Sequence, residues 1–153
     1  MYDKINPVKQ HVFLLGWLIL IFILVIAMII IGGITRITDS GLSMVEWRPI
    51  LGFLPPLSNQ EWERVFDLYK NTPEYSYYNK GMLLSDFKFI FFWEYFHRLW
   101  GRIIGIVFII PFIYLIFTKK IEKFVAIRLL VILFFGSLQA FIGWWMVKSG
   151  LID

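Results

Sequence analysis

Val12-Phe13-Leu14-Leu15-Gly16-Trp17-Leu18-Ile19-Leu20-Ile21-Phe22-Ile23-Leu24-Val25-Ile26-Ala27-Met28-Ile29-Ile30-Ile31-Gly32-Gly33-Ile34 contains no charged residue. A helix needs roughly 20 apolar residues to cross about 30 Å of hydrocarbon, so this run reads as a membrane span. It is too long for a signal-peptide core and no small-residue cleavage site follows it, so it reads as a retained first helix. Two more runs qualify. One covers about 94–117, wholly apolar over 99–117 apart from Arg102, and the other about 129–147. The expected fold is an all-α integral membrane protein with three antiparallel transmembrane helices.

Composition agrees. The chain has 153 residues, 59% hydrophobic and 20% aromatic, with a mean hydropathy of +0.71. The net charge of +4 is scattered among loops, with no basic, aromatic-interleaved patch, so nucleic acid is not an expected partner. Membrane lipid is. There is no cysteine, which excludes disulfides, thiolate metal sites and cysteine-attached heme.

Charge also sets an expected orientation. Lys4 and Lys9 precede the first span, and Lys119, Lys120, Lys123 and Arg128 crowd the link between the second and third. Both regions should face the cytoplasm. The segment 35–87 and the end of the chain, from Lys148, then lie on the outer, periplasmic side of a bacterial inner membrane. Within that outer segment Ser58-Asn59-Gln60-Glu61 is a capping-box pattern. Trp62, Val65, Phe66 and Tyr69 then recur at helical spacing opposite Glu63, Arg64, Asp67 and Lys70. This predicts a short amphipathic helix on the bilayer or over the outer mouth of the bundle, with Pro55-Pro56 and Asn71-Thr72-Pro73 marking its ends.

The chemistry concentrates at Trp93-Glu94-Tyr95-Phe96-His97-Arg98. The second helix should begin near Asp86 and, at about 1.5 Å per residue, run for about 48 Å to Phe117. His97 therefore lies near the outer boundary rather than the midplane. Residues three and four apart share a helix face, so Glu94, His97 and Arg98 line up, continued by Gly101, Arg102 and Gly105. Ionisable groups at a membrane mouth are costly unless something uses them. His97 could ligate iron through its imidazole, Arg98 and Arg102 could bind anionic groups such as propionates, and Gly101 and Gly105 would let a helix or a flat ligand approach. Glu94 could orient the histidine, move a proton or stabilise positive charge. The simpler alternative is that arginines and aromatics here are interfacial anchors and the histidine is structural.

Other polar positions carry less. His11, before the first span, should lie on the opposite membrane face from His97 and reads as interfacial. Gly32-Gly33-Ile34-Thr35-Arg36-Ile37-Thr38-Asp39-Ser40-Gly41-Leu42-Ser43 is neither a P-loop nor a dinucleotide fingerprint and reads as a structural turn. Gln139, mid-span, predicts an interhelical hydrogen bond. Trp144 and Trp145 read as outer-interface anchors.

The stretch from Gly32 to Ser43, extended through Met44-Val45-Glu46-Trp47, is one of several ordered motifs. The others are Pro55-Pro56-Leu57, Pro73-Glu74-Tyr75, Phe87 to Arg102, and Leu138-Gln139-Ala140-Phe141-Ile142-Gly143-Trp144-Trp145-Met146-Val147-Lys148-Ser149-Gly150-Leu151. Together they resemble heme A synthase, in the branch of alphaproteobacteria and mitochondria. The resemblance implies oxidation of a methyl group of heme O to a formyl group, giving heme A for terminal oxidases. It implies two four-helix halves, with the substrate heme O in the first and a heme b cofactor in the second. Glu94 then matches the catalytic glutamate, and His97 the iron ligand for the substrate.

Family members carry about eight spans, against three here. The resemblance therefore casts 1–153 as an incomplete N-terminal, substrate-heme half, inactive alone and lacking a fourth helix with a second histidine. A split enzyme completed by a complementary chain is the other form of this reading. Implied partners are the C-terminal half or that complementary chain and the heme O donor, heme O synthase; a homo-oligomer is left open. Two other classes compete: a non-catalytic b-type cytochrome-like electron-transfer subunit, and a membrane scaffold in which the charges only anchor.

Overall fold

The computed structural model describes residues 7–46 and 54–150. Lys4, Trp47 and Leu151, named above, lie outside the described residues. Five helices follow in order: α1 (Pro7–Ile37), α2 (Asn59–Lys70), α3 (Pro73–Tyr77), α4 (Leu84–Phe117) and α5 (Lys123–Gly150). No strand occurs among the described residues. α1, α4 and α5 are long and apolar enough to cross a membrane. Each helix runs past its apolar run, because polar end residues remain good helix formers at the interface.

α1 and α4 form the principal interface. Toward the α4–α5 link, Trp17 and Ile21 of α1 pack with Phe108, Phe112 and Leu115 of α4 and Leu129 of α5. Nearer the turn after α1 the two helices meet at Gly101. A methyl group built on Gly101 of α4 would stand 3.4 Å from Met28, whereas one on Gly105 would meet nothing within 4 Å. Only the first of the two predicted small positions is therefore used for helix contact. α5 leaves most of its apolar side chains outward, Phe134, Phe135, Phe141 and Trp145 among them. Gln139 is exposed on it and takes no hydrogen-bond partner among the described residues. The expected interhelical bond is absent there because no described helix packs on that face of α5.

α1 and α4 end by the same device. At the end of α1 the Asp39 backbone adopts φ 48°, Ser40 N–H donates to Thr35 O at 2.9 Å and Asp39 N–H to Arg36 O at 3.3 Å. This is the Schellman arrangement, with aspartate where glycine is commoner. The turn redirects the chain down onto α4. Lys119, φ 52°, ends α4 alike, with Lys120 N–H donating to Leu115 O at 2.9 Å.

The segment between α1 and α4 forms the predicted amphipathic cap. Ser58 accepts from Glu61 N–H at 3.1 Å to start α2. The Glu61 carboxylate is engaged by Arg64 at 2.8 and 3.0 Å. Phe66 and Tyr69 stack on Phe87 of α4 at 4.8 and 5.1 Å, and Trp62 meets Phe91 edge-on at 5.0 Å. Tyr69 is fully buried and accepts from Asn79 Nδ2 at 2.7 Å. Burial pushes its phenol up to about 12. α3 was not expected. It is a single turn opened by Pro73 and capped by Thr72, which accepts from Tyr75 N–H at 3.3 Å.

Pro111 lies inside α4. It lacks the N–H that would satisfy Val107 O one turn earlier, and an unsatisfied carbonyl in lipid is costly. Trp17 of α1 supplies the missing donor, its Nε1 reaching Val107 O at 2.9 Å. Trp17→Phe should therefore destabilise the helix pair by roughly 1–3 kcal/mol. In a Pro111→Ala background the loss should shrink, since that substitution restores an intrahelical donor. A double-mutant cycle by unfolding in micelles checks this, and equal losses in both backgrounds would contradict it.

Candidate functional site

The Glu94 carboxylate sits in the N-terminal third of α4 and is 3% exposed. A charge buried there needs donors on both oxygens. Oε2 accepts from Ser43 Oγ and from Met44 N–H, each at 2.7 Å. Oε1 accepts from Arg98 Nη2, one turn along the same helix. Arg98 Nη2 also lies 3.4 Å from Met44 O. The carboxylate and the guanidinium, both of α4, are thus tied to each other and to the turn after α1.

That turn is held from both sides. On the α1 side, Thr35 Oγ1 donates to Gly32 O at 2.7 Å and Thr38 bonds the Ser40 hydroxyl. Ser43 N–H donates to Ser40 O at 3.3 Å. Ser40 and Ser43 are buried. On the cap side, Arg64 of α2 grips both oxygens of Glu46 at 2.8 and 2.9 Å. Glu46 first and Glu61 second hold the Arg64 guanidinium above its ordinary range. Glu74, outside the spans, is raised by partial burial and next by the charge of Asp39.

His97 points elsewhere. Its Nε2 lies 3.3 Å from where a methyl group on Gly32 of α1 would stand. Glycine at 32 therefore lets the imidazole edge pack close against α1. His97 makes no side-chain hydrogen bond among the described residues. Arg98 and Arg102 line a cavity of about 390 Å³ under the cap, together with Met44, Arg64, Val65 and Phe91. The four sequence-expected residues thus share just over two turns of α4 but face three ways. Glu94 is locked to Arg98 and the turn, His97 looks toward α1, and Arg98 and Arg102 look into the cavity. His11 is exposed in the first turns of α1, a span away from His97.

Among the described residues no three His, Asp or Glu side chains gather to hold a metal ion. An iron porphyrin asks less, because it brings four nitrogens of its own and needs an axial imidazole. The donor set fits that demand. Ser43 escaped sequence reasoning. Its only available signal was a small hydroxyl residue in a turn that reads as structural.

Residues 16–153 match the family described as Cytochrome oxidase assembly protein (COX15-CtaA). Heme A synthase of Nitrosomonas eutropha is 49% identical over 145 residues, 95% of this chain and 41% of that protein. Heme A synthase of Nitrosospira multiformis is 51% identical over 137 residues, 90% of this chain and 38% of that protein. That of a Caulobacter species is 49% identical over 151 residues, 99% of this chain and 42% of that protein. The chain spans about two fifths of the length of these curated relatives. No solved structure matches it.

The Glu94–Arg98 pair, with side chains 4% and 13% exposed, contrasts with Lys70–Asp67 at 41% and 69%. Arg98→Met leaves a buried carboxylate without its cation and should cost about 3–5 kcal/mol. Lys70→Ala should cost less than about 1 kcal/mol. Unfolding free energies in micelles compare the two, and similar losses would contradict the burial of the Glu94 site.

Proposed function

The chain belongs to the cytochrome oxidase assembly protein family, and from that premise we propose that it supplies the substrate site of a heme A synthase. The reaction oxidises a methyl group of heme O to a formyl group, giving heme A for terminal oxidases. One observation carries the reading: a buried, fully bonded carboxylate stands one helical turn from an imidazole that has no hydrogen bond among the described residues, at the mouth of a membrane bundle. Such an arrangement is costly for a protein that makes no use of it.

In this reading His97 is the axial ligand for the iron of heme O. Arg98 and Arg102, facing the cavity under the cap, balance the anionic propionates. Glu94 would be the catalytic carboxylate for the methyl oxidation. Because both of its oxygens already accept N–H donors, it acts by fixed negative charge, stabilising positive charge that develops at the porphyrin edge. The cap of α2 over the mouth limits water there. A resident heme b belongs to the reading only through the family resemblance, and none of this chain's residues is assigned to it. Heme O synthase is the expected source of substrate.

Codon replacement at the native locus tests the assignment on the protein as the cell makes it. Glu94→Gln should abolish heme A in extracted membranes and let heme O accumulate, and His97→Ala should remove the bound substrate-heme spectrum. An unchanged heme A to heme O ratio in Glu94→Gln would contradict the catalytic role. An unchanged spectrum in His97→Ala would contradict the ligand role.

The orientation proposed from the basic residues places α2 and α3 in the periplasm and the α4–α5 link in the cytoplasm. The chain has no native cysteine, so single cysteines report cleanly. Tyr77→Cys, 80% exposed before substitution, should react with an impermeant maleimide on intact spheroplasts. Lys123→Cys should react only after permeabilisation. The reverse pattern would overturn the orientation.

A further inference from the structure

We propose that Ser43 is a positioning residue for Glu94, fixing the carboxylate through its hydroxyl so that the charge stands at one place against the substrate. The inference rests on the reading of Glu94 given above and goes beyond it by assigning a role to the turn after α1.

A glutamate has three side-chain torsions, and an ion pair with Arg98 on its own helix leaves several of them open. The two bonds at Oε2 come from outside the helix, from Ser43 Oγ and Met44 N–H at 2.7 Å each. They reduce the carboxylate to one orientation. This restraint is only as good as the turn that delivers it, and the turn is over-determined. Asp39 and Ser40 close the Schellman cap on α1, with Ser40 N–H to Thr35 O at 2.9 Å. Ser40 is fully buried. Arg64 of α2 grips Glu46 from the other side.

Ser43 itself is 2% exposed and lies fifty-one positions before its partner. A solvated surface turn has no need to bury a hydroxyl against a carboxylate. The turn's hydroxyls are joined to Ser43 through backbone, since Ser43 N–H meets Ser40 O at 3.3 Å. The connection therefore transmits position rather than protons. Met44 N–H is backbone and survives substitution, so Ser43 is the adjustable part of the restraint.

The test uses native-locus variants in isolated membranes, with rates expressed per inserted chain. Ser43→Ala should lower kcat for heme O conversion roughly tenfold, the size expected for a loosened catalytic group, with KM within about twofold. Ser43→Thr, which keeps the hydroxyl, should recover most of the rate. The infrared carboxylate band removed by Glu94→Gln should shift in Ser43→Ala and not in Ser43→Thr. Wild-type kcat in Ser43→Ala would overturn the proposal, as would a change carried by KM alone, an unmoved carboxylate band, or equal losses in Ser43→Ala and Ser43→Thr. The two readings fail differently. An active Glu94→Gln sinks the role of Glu94 itself, whereas an inactive Glu94→Gln beside a fully active Ser43→Ala sinks only the role of Ser43.

Discussion

A carboxylate buried at the mouth of a membrane bundle must find its donors inside the protein, because lipid offers none and desolvation of an ion costs several kcal/mol. Glu94 meets that demand with one donor group on its own helix and two from the turn after α1. Everything at this end of the bundle follows from this. The turn must descend onto α4, which requires the Asp39 reversal at the end of α1. The descending segment then presents Glu46 to Arg64, which draws α2 across the mouth. The aromatic stack of Phe66 and Tyr69 on Phe87 completes the cap. One polar contact thus links α1, α2 and α4.

The membrane-embedded part obeys a complementary rule. There the backbone must satisfy itself, and departures have to be compensated by neighbouring helices. The bond from Trp17 to Val107 O repairs the gap left by Pro111 and also registers α1 against α4. With Trp100 Nε1 reaching Leu24 O at 3.0 Å, two indoles of opposite helices donate into each other's backbone. This fixes the axial register of the pair and hence the height at which His97 meets Gly32. α5, which has no such bond to α1 or α4 among the described residues, packs mainly through Leu129 and its neighbours.

The spans were readable in the sequence because an uncharged run of this length fits a bilayer and little else. The cap was readable because Ser58 and Glu61 sit at capping spacing before a helical stripe. The turns of α4 bearing Glu94, His97, Arg98 and Arg102 were readable as a cluster from helical spacing alone. Their internal division was not. Spacing places side chains on a face but does not say that Glu94 turns to the loop while His97 turns to α1, since that depends on what packs opposite. Ser43 was invisible for the same reason: a contact between residues in different elements leaves no periodic trace. Asp39 was missed because glycine is the usual left-handed residue, and glycines lie close by. Gln139 misled because a mid-span amide normally marks a helix contact, and that face of α5 has none among the described residues.

His97 as the ligand to the substrate iron, beside a locked carboxylate, is the central claim. The two histidines of these 153 residues can be told apart by substituting each in turn. With ¹⁵N-histidine in the protein and ferric heme O bound, pulsed paramagnetic resonance should detect a strongly coupled imidazole nitrogen. That coupling should be unchanged in His11→Asn and lose the His97 contribution in His97→Asn. An imidazole coupling to heme O iron that survives His97→Asn unchanged would contradict the claim.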